Sequence, residues 1–123
     1  MRGLIVLIIS FSCISAPAHA GIRFGQGTKT VATSGTALAI LSSSKHVTSI
    51  IICGDTGNTG KIAVAQNPVA AAGAQQGVIL SPGGCVVIEG HSDPPVKFDA
   101  AIFKVDATVS GDKASFFYVV EEN

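Results

Sequence analysis

Residues 49–53, Ser-Ile-Ile-Ile-Cys, form an apolar run that ends at a glycine-rich stretch, Gly-Asp-Thr-Gly-Asn-Thr-Gly, over residues 54–60. β-Branched residues favour the pleated backbone of a strand, whereas glycine and asparagine favour turns. A second continuously apolar segment, Leu-Ala-Ile-Leu, occupies residues 38–41. Short apolar runs of this kind predict strands that are buried on both faces or lie inside a sandwich.

Short strands and frequent turns alternate along the rest of the chain. Val, Ile, Thr and Phe form short segments, and Gly, Ser, Asn and Pro interrupt them. The alanine-rich residues 68–75 are too few for a stable helix, so we expect a loop or a single turn there. The predicted strands are residues 22–24, 28–32, 36–41, 47–53, 61–66, 77–80, 85–89, 96–98, 101–107 and 114–120. The pattern predicts an all-β fold, a small antiparallel β-sandwich of jelly-roll-like type.

The first twenty residues have the order of a secretory signal. Arg2 supplies a positive charge, an apolar run covers residues 4–14, and Ala18-His19-Ala20 provides small residues at a cleavage site. The run is shorter than the roughly 20 apolar residues that span a bilayer. We expect a signal peptide at residues 1–20 and one β-sandwich domain at residues 21–123. A buried N-terminal strand or helix is the alternative. Export to the periplasm or the extracellular space, or residence in a virion, would follow.

Cleavage after Ala20 is expected to leave a mature chain that begins at Gly21, because Ala18 and Ala20 occupy the two small-residue positions that signal peptidase requires. Intact mass measurement or N-terminal sequencing of the native protein checks this expectation. A native chain that begins at Met1 would contradict it.

Charge in the mature part is sparse and balanced. Without Arg2, 7 Lys and Arg residues remain against 8 Asp and Glu residues, and no basic run occurs. Nucleic acids and anionic membranes attract clustered Lys and Arg. The composition therefore predicts no nucleic-acid partner, and no membrane partner once the leader is removed.

Two cysteines, Cys53 and Cys85, remain beyond the leader. An even number of cysteines in an exported chain favours a disulfide. A bridge would close a loop of 32 residues and stabilise the fold by roughly 3.5–4 kcal/mol in the chain-entropy model. A pair of small buried thiols also suits a β core. The sequence leaves both alternatives open.

The glycine-rich stretch ends in Gly60-Lys61 and has a superficial likeness to a phosphate-binding loop. That motif has four residues between its first glycine and the Gly-Lys pair, followed by Ser or Thr. Here five residues separate Gly54 from Gly60, and Ile62 follows the lysine. A glycine-rich hairpin loop is the simpler interpretation. The stretch also lacks the alternating oxygen ligands of a calcium loop.

The residue types of a hydrolase triad occur together at His91-Ser92-Asp93. Three adjacent residues do not produce a triad, because the three groups must converge in space, and Pro94-Pro95 marks an exposed turn. His46 and His91 have no metal-ligand spacing with cysteines or carboxylates.

The carboxylates of Asp99 and Asp106 could form a glycosidase pair, but so could any two acids in a small domain, and solvent-facing strand positions are the simpler explanation. Six Phe residues and one Tyr are barely enough for a core, so Phe117 is expected in the core and an exposed aromatic platform is not expected. We predict no enzyme activity, and no catalytic, cofactor-binding or metal-binding residues.

The order of motifs from about residue 32 to residue 120 resembles that of small β-sandwich virion proteins of tailed phages and prophages, of the capsid-decoration, head-fibre or tail-accessory type. The matching segments are Gly-Thr-Ala at 35–37, the apolar strand at 49–53, Asn-Thr-Gly at 58–60, the turn Gly-Val-Ile-Leu-Ser-Pro-Gly at 77–83, Gly-Asp at 111–112 and Phe-Phe-Tyr at 116–118. The leader departs from this pattern, because most virion proteins assemble in the cytoplasm. The resemblance implies a structural protein that packs with itself or with other virion or envelope proteins.

Two hypotheses about function therefore come first. One is a structural virion-type protein that acts by packing and self-association, as a homo-oligomer or with other virion proteins. The alternative is a secreted bacterial binding module, an adhesin or carbohydrate-binding domain, which an exposed aromatic pair would favour. A secreted hydrolase ranks third, since it would need His46 or His91 in a cleft beside a nucleophile.

Overall fold

The computed structural model describes residues 21–66 and 77–122. Its elements are the strands β1 (Gly21–Thr30), β2 (Leu38–Ala39), β3 (His46–Val47), β4 (Ser49–Gly54), β5 (Ile62–Gln66), β6 (Val78–Leu80), β7 (Cys85–Glu89), β8 (Phe98–Asp99), β9 (Phe103–Ala107) and β10 (Lys113–Glu122), with a 3-10 helix (Ala100–Ile102) before β9. The expected signal peptide and the expected loop at 68–75 lie outside the described residues.

Every strand pair in the described part of the chain is antiparallel, which confirms the all-β prediction. The strands form one sheet in the order β1-β10-β4-β7, a second in the order β2-β9-β5-β6, and the small pair β3-β8. We call the first of these the long sheet, because β1 and β10 each have ten residues. β10 lies between β1 and β4, so the long sheet depends on it for continuity.

One hydrophobic cluster contains buried residues of both four-stranded sheets. The long sheet contributes Ile50 and Ile52 of β4, and the second sheet contributes Ile62, Val64 and Val105. β4 alternates regularly between buried and half-buried residues. Of the two alternatives given for its apolar run, burial on both faces does not describe β4: Ile50 and Ile52 face the core, and half-buried Ile51 faces away.

The chain covers both faces of β5. Ile62 and Val64 belong to the main core, whereas Ala63 is buried on the opposite face, against Ala37 and Ile79. Ala63 can be covered closely because its methyl group leaves room for the segment that precedes β2.

Asp106 secures that covering segment. It is fully buried, opposite Ala63 in the β5–β9 register, and its Oδ1 accepts hydrogen bonds from the backbone N–H groups of Gly35 (3.0 Å) and Ala107 (2.8 Å). The expectation that Asp106 is a solvent-facing strand residue is therefore wrong. The carboxylate can be buried because hydrogen bonds from backbone N–H groups replace those that water would donate to it.

Two glycines in β1 lie beneath aromatic rings of β10. Gly25 is opposite Tyr118 and Gly27 is opposite Phe116, and a Cβ at either glycine would overlap the facing ring. Phe116 and Tyr118 pack against the main core cluster from this position. β1 is therefore one continuous strand, although the glycines led the sequence pattern to divide it at residues 25–27.

The glycine-rich stretch after β4 crosses from the long sheet to the second sheet and is not the hairpin that the sequence indicated. Asp112, buried at the start of the β10 region, accepts hydrogen bonds from the backbone N–H groups of Thr59 (3.1 Å) and Gly60 (2.7 Å). The Asn58 side chain bonds both backbone groups of Lys113 at 2.8 Å. These side chains fix the crossing, since no strand partner is available for it.

Asp99 caps the 3-10 helix and ties it to the segment before β3. Its Oδ2 accepts a hydrogen bond from the Ser44 hydroxyl at 2.7 Å, and its Oδ1 accepts from the N–H groups of Ala101 (3.0 Å) and Lys45 (2.9 Å). These bonds, the Ser44 bond foremost, lower the pKa of the Asp99 carboxyl from its ordinary value. Asp99 thus has a structural role at the start of the 3-10 helix.

Replacing Ser44 by alanine is expected to raise the pKa of Asp99 toward its ordinary value, because the largest stabilising contact of the carboxylate is lost. Since the folded-state pKa is lowered, the contribution of Asp99 to stability is present above the unfolded-state pKa and is lost as the pH falls through the folded-state value. An NMR titration of the side-chain carboxyl measures the shift. Ser43→Ala, a change at a neighbouring exposed serine, is the control. An Asp99 pKa that is not lowered in the unaltered protein would contradict the assignment.

Candidate interaction surface

The face of the long sheet that points away from the core carries four of the eight large apolar side chains that the described residues expose. We call it the outer face. Strand alternation and register define its members. They are Ile22, Phe24, Gln26 and Thr28 of β1, Lys113, Ser115, Phe117, Val119 and Glu121 of β10, Ser49, Ile51 and Cys53 of β4, and Cys85, Val87 and Glu89 of β7.

Large apolar side chains of the outer face are strongly exposed. Phe24 is 65% exposed, Ile22 59%, Val87 53% and Phe117 40%. The expectation that Phe117 lies in the core is therefore wrong. Successive side chains of a strand point to opposite faces, and the neighbours Phe116 and Tyr118 take the inward positions. A contiguous exposed apolar patch is uncommon on a protein that functions alone.

Phe24 and Phe117 form an exposed aromatic pair. Their ring centroids are 5.6 Å apart, with 23° between the ring planes. Gln26 is directly opposite Phe117, so the two rings meet diagonally across the β1–β10 pair. The expectation that the chain has no exposed aromatic platform is therefore wrong.

A straight apolar row crosses the middle of the outer face. Phe117 is opposite Ile51, and Ile51 is opposite Val87, in three adjacent strands. We call these three residues the central row. The sequence contains a signal for this row. The three isoleucines at 50–52 place apolar side chains on both faces of the strand, whereas a strand with one solvent-facing side needs them on one face only.

Cys53 and Cys85 lie on the outer face as opposite residues of β4 and β7. The structure joins them by a disulfide, with the sulfurs 2.03 Å and the Cα atoms 4.0 Å apart. Cys85 is exposed and Cys53 half-buried, so the alternative of two buried thiols does not describe this pair. The bridge ties the edge strand β7 to β4.

Charges of opposite sign occupy opposite ends of the outer face. Lys113 and Glu121 lie on the same side of β10, four residues before and four residues after Phe117. In the described part of the chain neither takes part in an ion pair, whereas Glu122 pairs with Arg23 at 3.0 Å and Glu89 approaches His91 at 3.9 Å. The outer face is therefore positive at the Lys113 end and negative at the Glu121 end.

The histidines and the serine singled out in the sequence each have a local contact in the structure. The Ser92 hydroxyl donates a hydrogen bond to the Pro94 carbonyl, and the exposed His91 ring faces Glu89. His46 lies in β3, opposite Asp99. Among residues 21–66 and 77–122, no group of three or more His, Cys, Asp or Glu residues is arranged to hold a metal ion.

Across the two described ranges, no helix is long and apolar enough to cross a membrane. No protein-family model matches the chain, and no curated protein gives a significant match.

Proposed function

We propose that this chain is a structural protein of virion type, a capsid-decoration or head or tail accessory protein, which acts by packing and self-association through the outer face. The observation that carries the proposal is the exposed apolar surface formed by Phe24, Phe117, Val87 and Ile22. Burial of such surface drives association at roughly 25 cal/mol per Å2 before the costs of binding. The virion setting is supported by the order of sequence motifs.

The proposal includes a β-sandwich of jelly-roll-like type. Its support is the shared cluster, in which Ile50 and Ile52 of the long sheet join Ile62, Val64 and Val105 of the second sheet. Two sheets that pack in this way leave one face of each toward solvent or toward a partner. The segment before β2 occupies part of that face on the second sheet, whereas the outer face stays accessible in the described residues.

Exported or virion localisation, and a homo-oligomeric or virion-protein partner, belong to the same proposal. A rigid two-sheet domain with an exposed apolar face is suited to a lattice, because each contact can be weak when many copies are held side by side.

Substitution of the exposed phenylalanines is expected to reduce self-association without unfolding the domain. Phe24→Ser and Phe117→Ser each remove apolar area that is accessible in the folded chain. Sedimentation velocity over a range of protein concentrations measures the association, and circular dichroism checks the fold.

His46→Ala, His91→Ala and Asp93→Ala are the matched controls for this test. Exposed substitutions of this kind usually change stability by less than about 0.5 kcal/mol, so association should remain close to that of the unaltered protein. A panel of hydrolase assays accompanies the series. A single polar substitution that abolished a turnover while the protein stayed folded would contradict the non-enzymatic assignment.

A secreted binding module, an adhesin or carbohydrate-binding domain, is the second candidate. The stacked Phe24–Phe117 pair favours it, because exposed aromatic rings bind the apolar faces of sugars and peptides. Glycan-array binding by the unaltered protein and by Phe117→Ser distinguishes the two functions. Binding that Phe117→Ser abolishes, by a protein that stays monomeric at all concentrations, would favour the module.

A further inference from the structure

We infer that the outer face binds the outer face of a second copy across a two-fold axis that passes through the central row and runs perpendicular to the strands. This inference rests on the proposed self-association and specifies its geometry. A two-fold axis makes an interface in which one surface must complement itself. The central row and the two charged ends of β10 meet that requirement.

The central row lies on the axis. Phe117, Ile51 and Val87 are level with one another in the register of β10, β4 and β7. Rotation about an axis along this row places each of the three over its own equivalent in the second copy. Apolar side chains therefore meet apolar side chains at the centre, where a stable interface needs them.

The charged ends pair under the same rotation. Lys113 and Glu121 are equally far from Phe117 along β10 and point to the same face. The rotation reverses the strand direction, so that Glu121 of each copy faces Lys113 of the other. Opposite charges at the rim set the register and orientation of a complex.

An axis parallel to the strands gives a poorer match. It would keep the strand direction and bring the Glu121 end of one copy against the Glu121 end of the other. Glu89 lies near that end, opposite Ser49, so several carboxylates would face each other. Like charges at the rim of an interface are unfavourable. The charge distribution therefore selects the perpendicular axis.

The dimensions agree with a modest interface. Four strands about 4.8 Å apart, with β10 rising about 3.4 Å per residue, give a face of roughly 500 Å2 per copy. A pair would bury roughly 1,000 Å2 in total, at the lower limit for a specific contact. Packed sheets cross at about 30°, and at four residues from the axis this displaces facing residues by roughly 7 Å, a gap that extended Lys and Glu side chains span. We expect dissociation constants in the micromolar range.

Charge reversal tests this geometry in the full chain. Glu121→Lys and Lys113→Glu each replace two attractive contacts of the dimer by two repulsive ones, and each is expected to weaken dimerisation by roughly tenfold. Glu121→Lys combined with Lys113→Glu in one chain restores opposite charges and should return the dissociation constant to within about twofold. Lys61→Glu, which changes an exposed lysine next to the second sheet, is the control and should have no effect.

Mixing the two single variants gives a test that does not depend on the double variant folding. The Glu121→Lys copy is positive at both ends of its outer face, and the Lys113→Glu copy is negative at both ends. The mixture should form a heterodimer tighter than either homodimer, measured by sedimentation velocity with one variant fluorescently labelled. The preference should decline as salt is added.

The possible outcomes separate the inference from the proposed function. Weakening by each single variant, with recovery in the mixture, supports the inferred geometry. Self-association that is insensitive to both reversals, yet abolished by Phe117→Ser, overturns the two-fold geometry and leaves the proposed function standing. A protein that remains monomeric throughout the micromolar and millimolar ranges overturns both.

Discussion

Replacing Ile52 by alanine is expected to lower the free energy of unfolding by roughly 2–5 kcal/mol. Ile52 is fully buried in β4, within the cluster shared by both sheets. The truncated side chain would leave a cavity that a two-sheet core cannot close easily, because both sheets are held by hydrogen bonds. Urea denaturation followed by circular dichroism measures the change. An unfolding free energy close to that of the unaltered protein would show that Ile52 does not face the core.

Ile51→Ala is the matched control, because it is the same substitution at the adjacent residue of the same strand. Ile51 is half-buried on the outer face, so the loss in unfolding free energy should be under about 1.5 kcal/mol. Its main effect is expected on self-association, since Ile51 belongs to the central row. The pair of variants thus separates the two faces of β4 by two different measurements.

Replacing both Cys53 and Cys85 by alanine is expected to lower the free energy of unfolding by roughly 3.5–4 kcal/mol. The bridge spans 32 residues of sequence, and its removal raises the conformational entropy of the unfolded chain, which the closed loop restricts. Chemical denaturation of the protein measures this effect. Little packing is lost in addition, since Cys85 is exposed.

Reducing agent provides the control for the cysteine variant. It should destabilise the unaltered protein by a similar amount and leave the doubly substituted protein unchanged. Equal midpoints for the oxidised protein and the double variant would contradict a stabilising disulfide.

The local sequence pattern predicted those strands whose ends are marked by flanking turn residues. β7 has the bounds expected for it, Cys85–Glu89, because turn residues flank it on both sides. Gly25 and Gly27 were misleading in β1, since the rings that cover them belong to a strand about ninety residues away in sequence. Thr48 separates β3 from β4 by bonding to Val119, which is again a distant partner. Local propensity contains no information about such partners.

The interaction surface was only partly foreseeable. Apolar residues at 22, 24, 117 and 119 have strand alternation, but the sequence does not say which phase faces the core. The aromatic run at 116–118 is the clearest case, because Phe117 and its two neighbours are equally apolar. Packing against the second sheet determines which side of the strand is buried, and the local sequence does not contain that information. Asp106 was misassigned for a similar reason, since its donor Gly35 is 71 residues distant.

The pairing of β1 with β10 has a consequence for the timing of folding relative to synthesis. The first and last described strands are partners along ten residues, from Gly21 opposite Glu122 to Thr30 opposite Lys113. β10 also supplies the only link between β1 and the β4–β7 pair within the described long sheet. A nascent chain therefore has no site for β1 until residues 113–122 have left the ribosome. Such distant pairings fold slowly, so β1 is expected to join the sheet late in folding, after β10 has been synthesised.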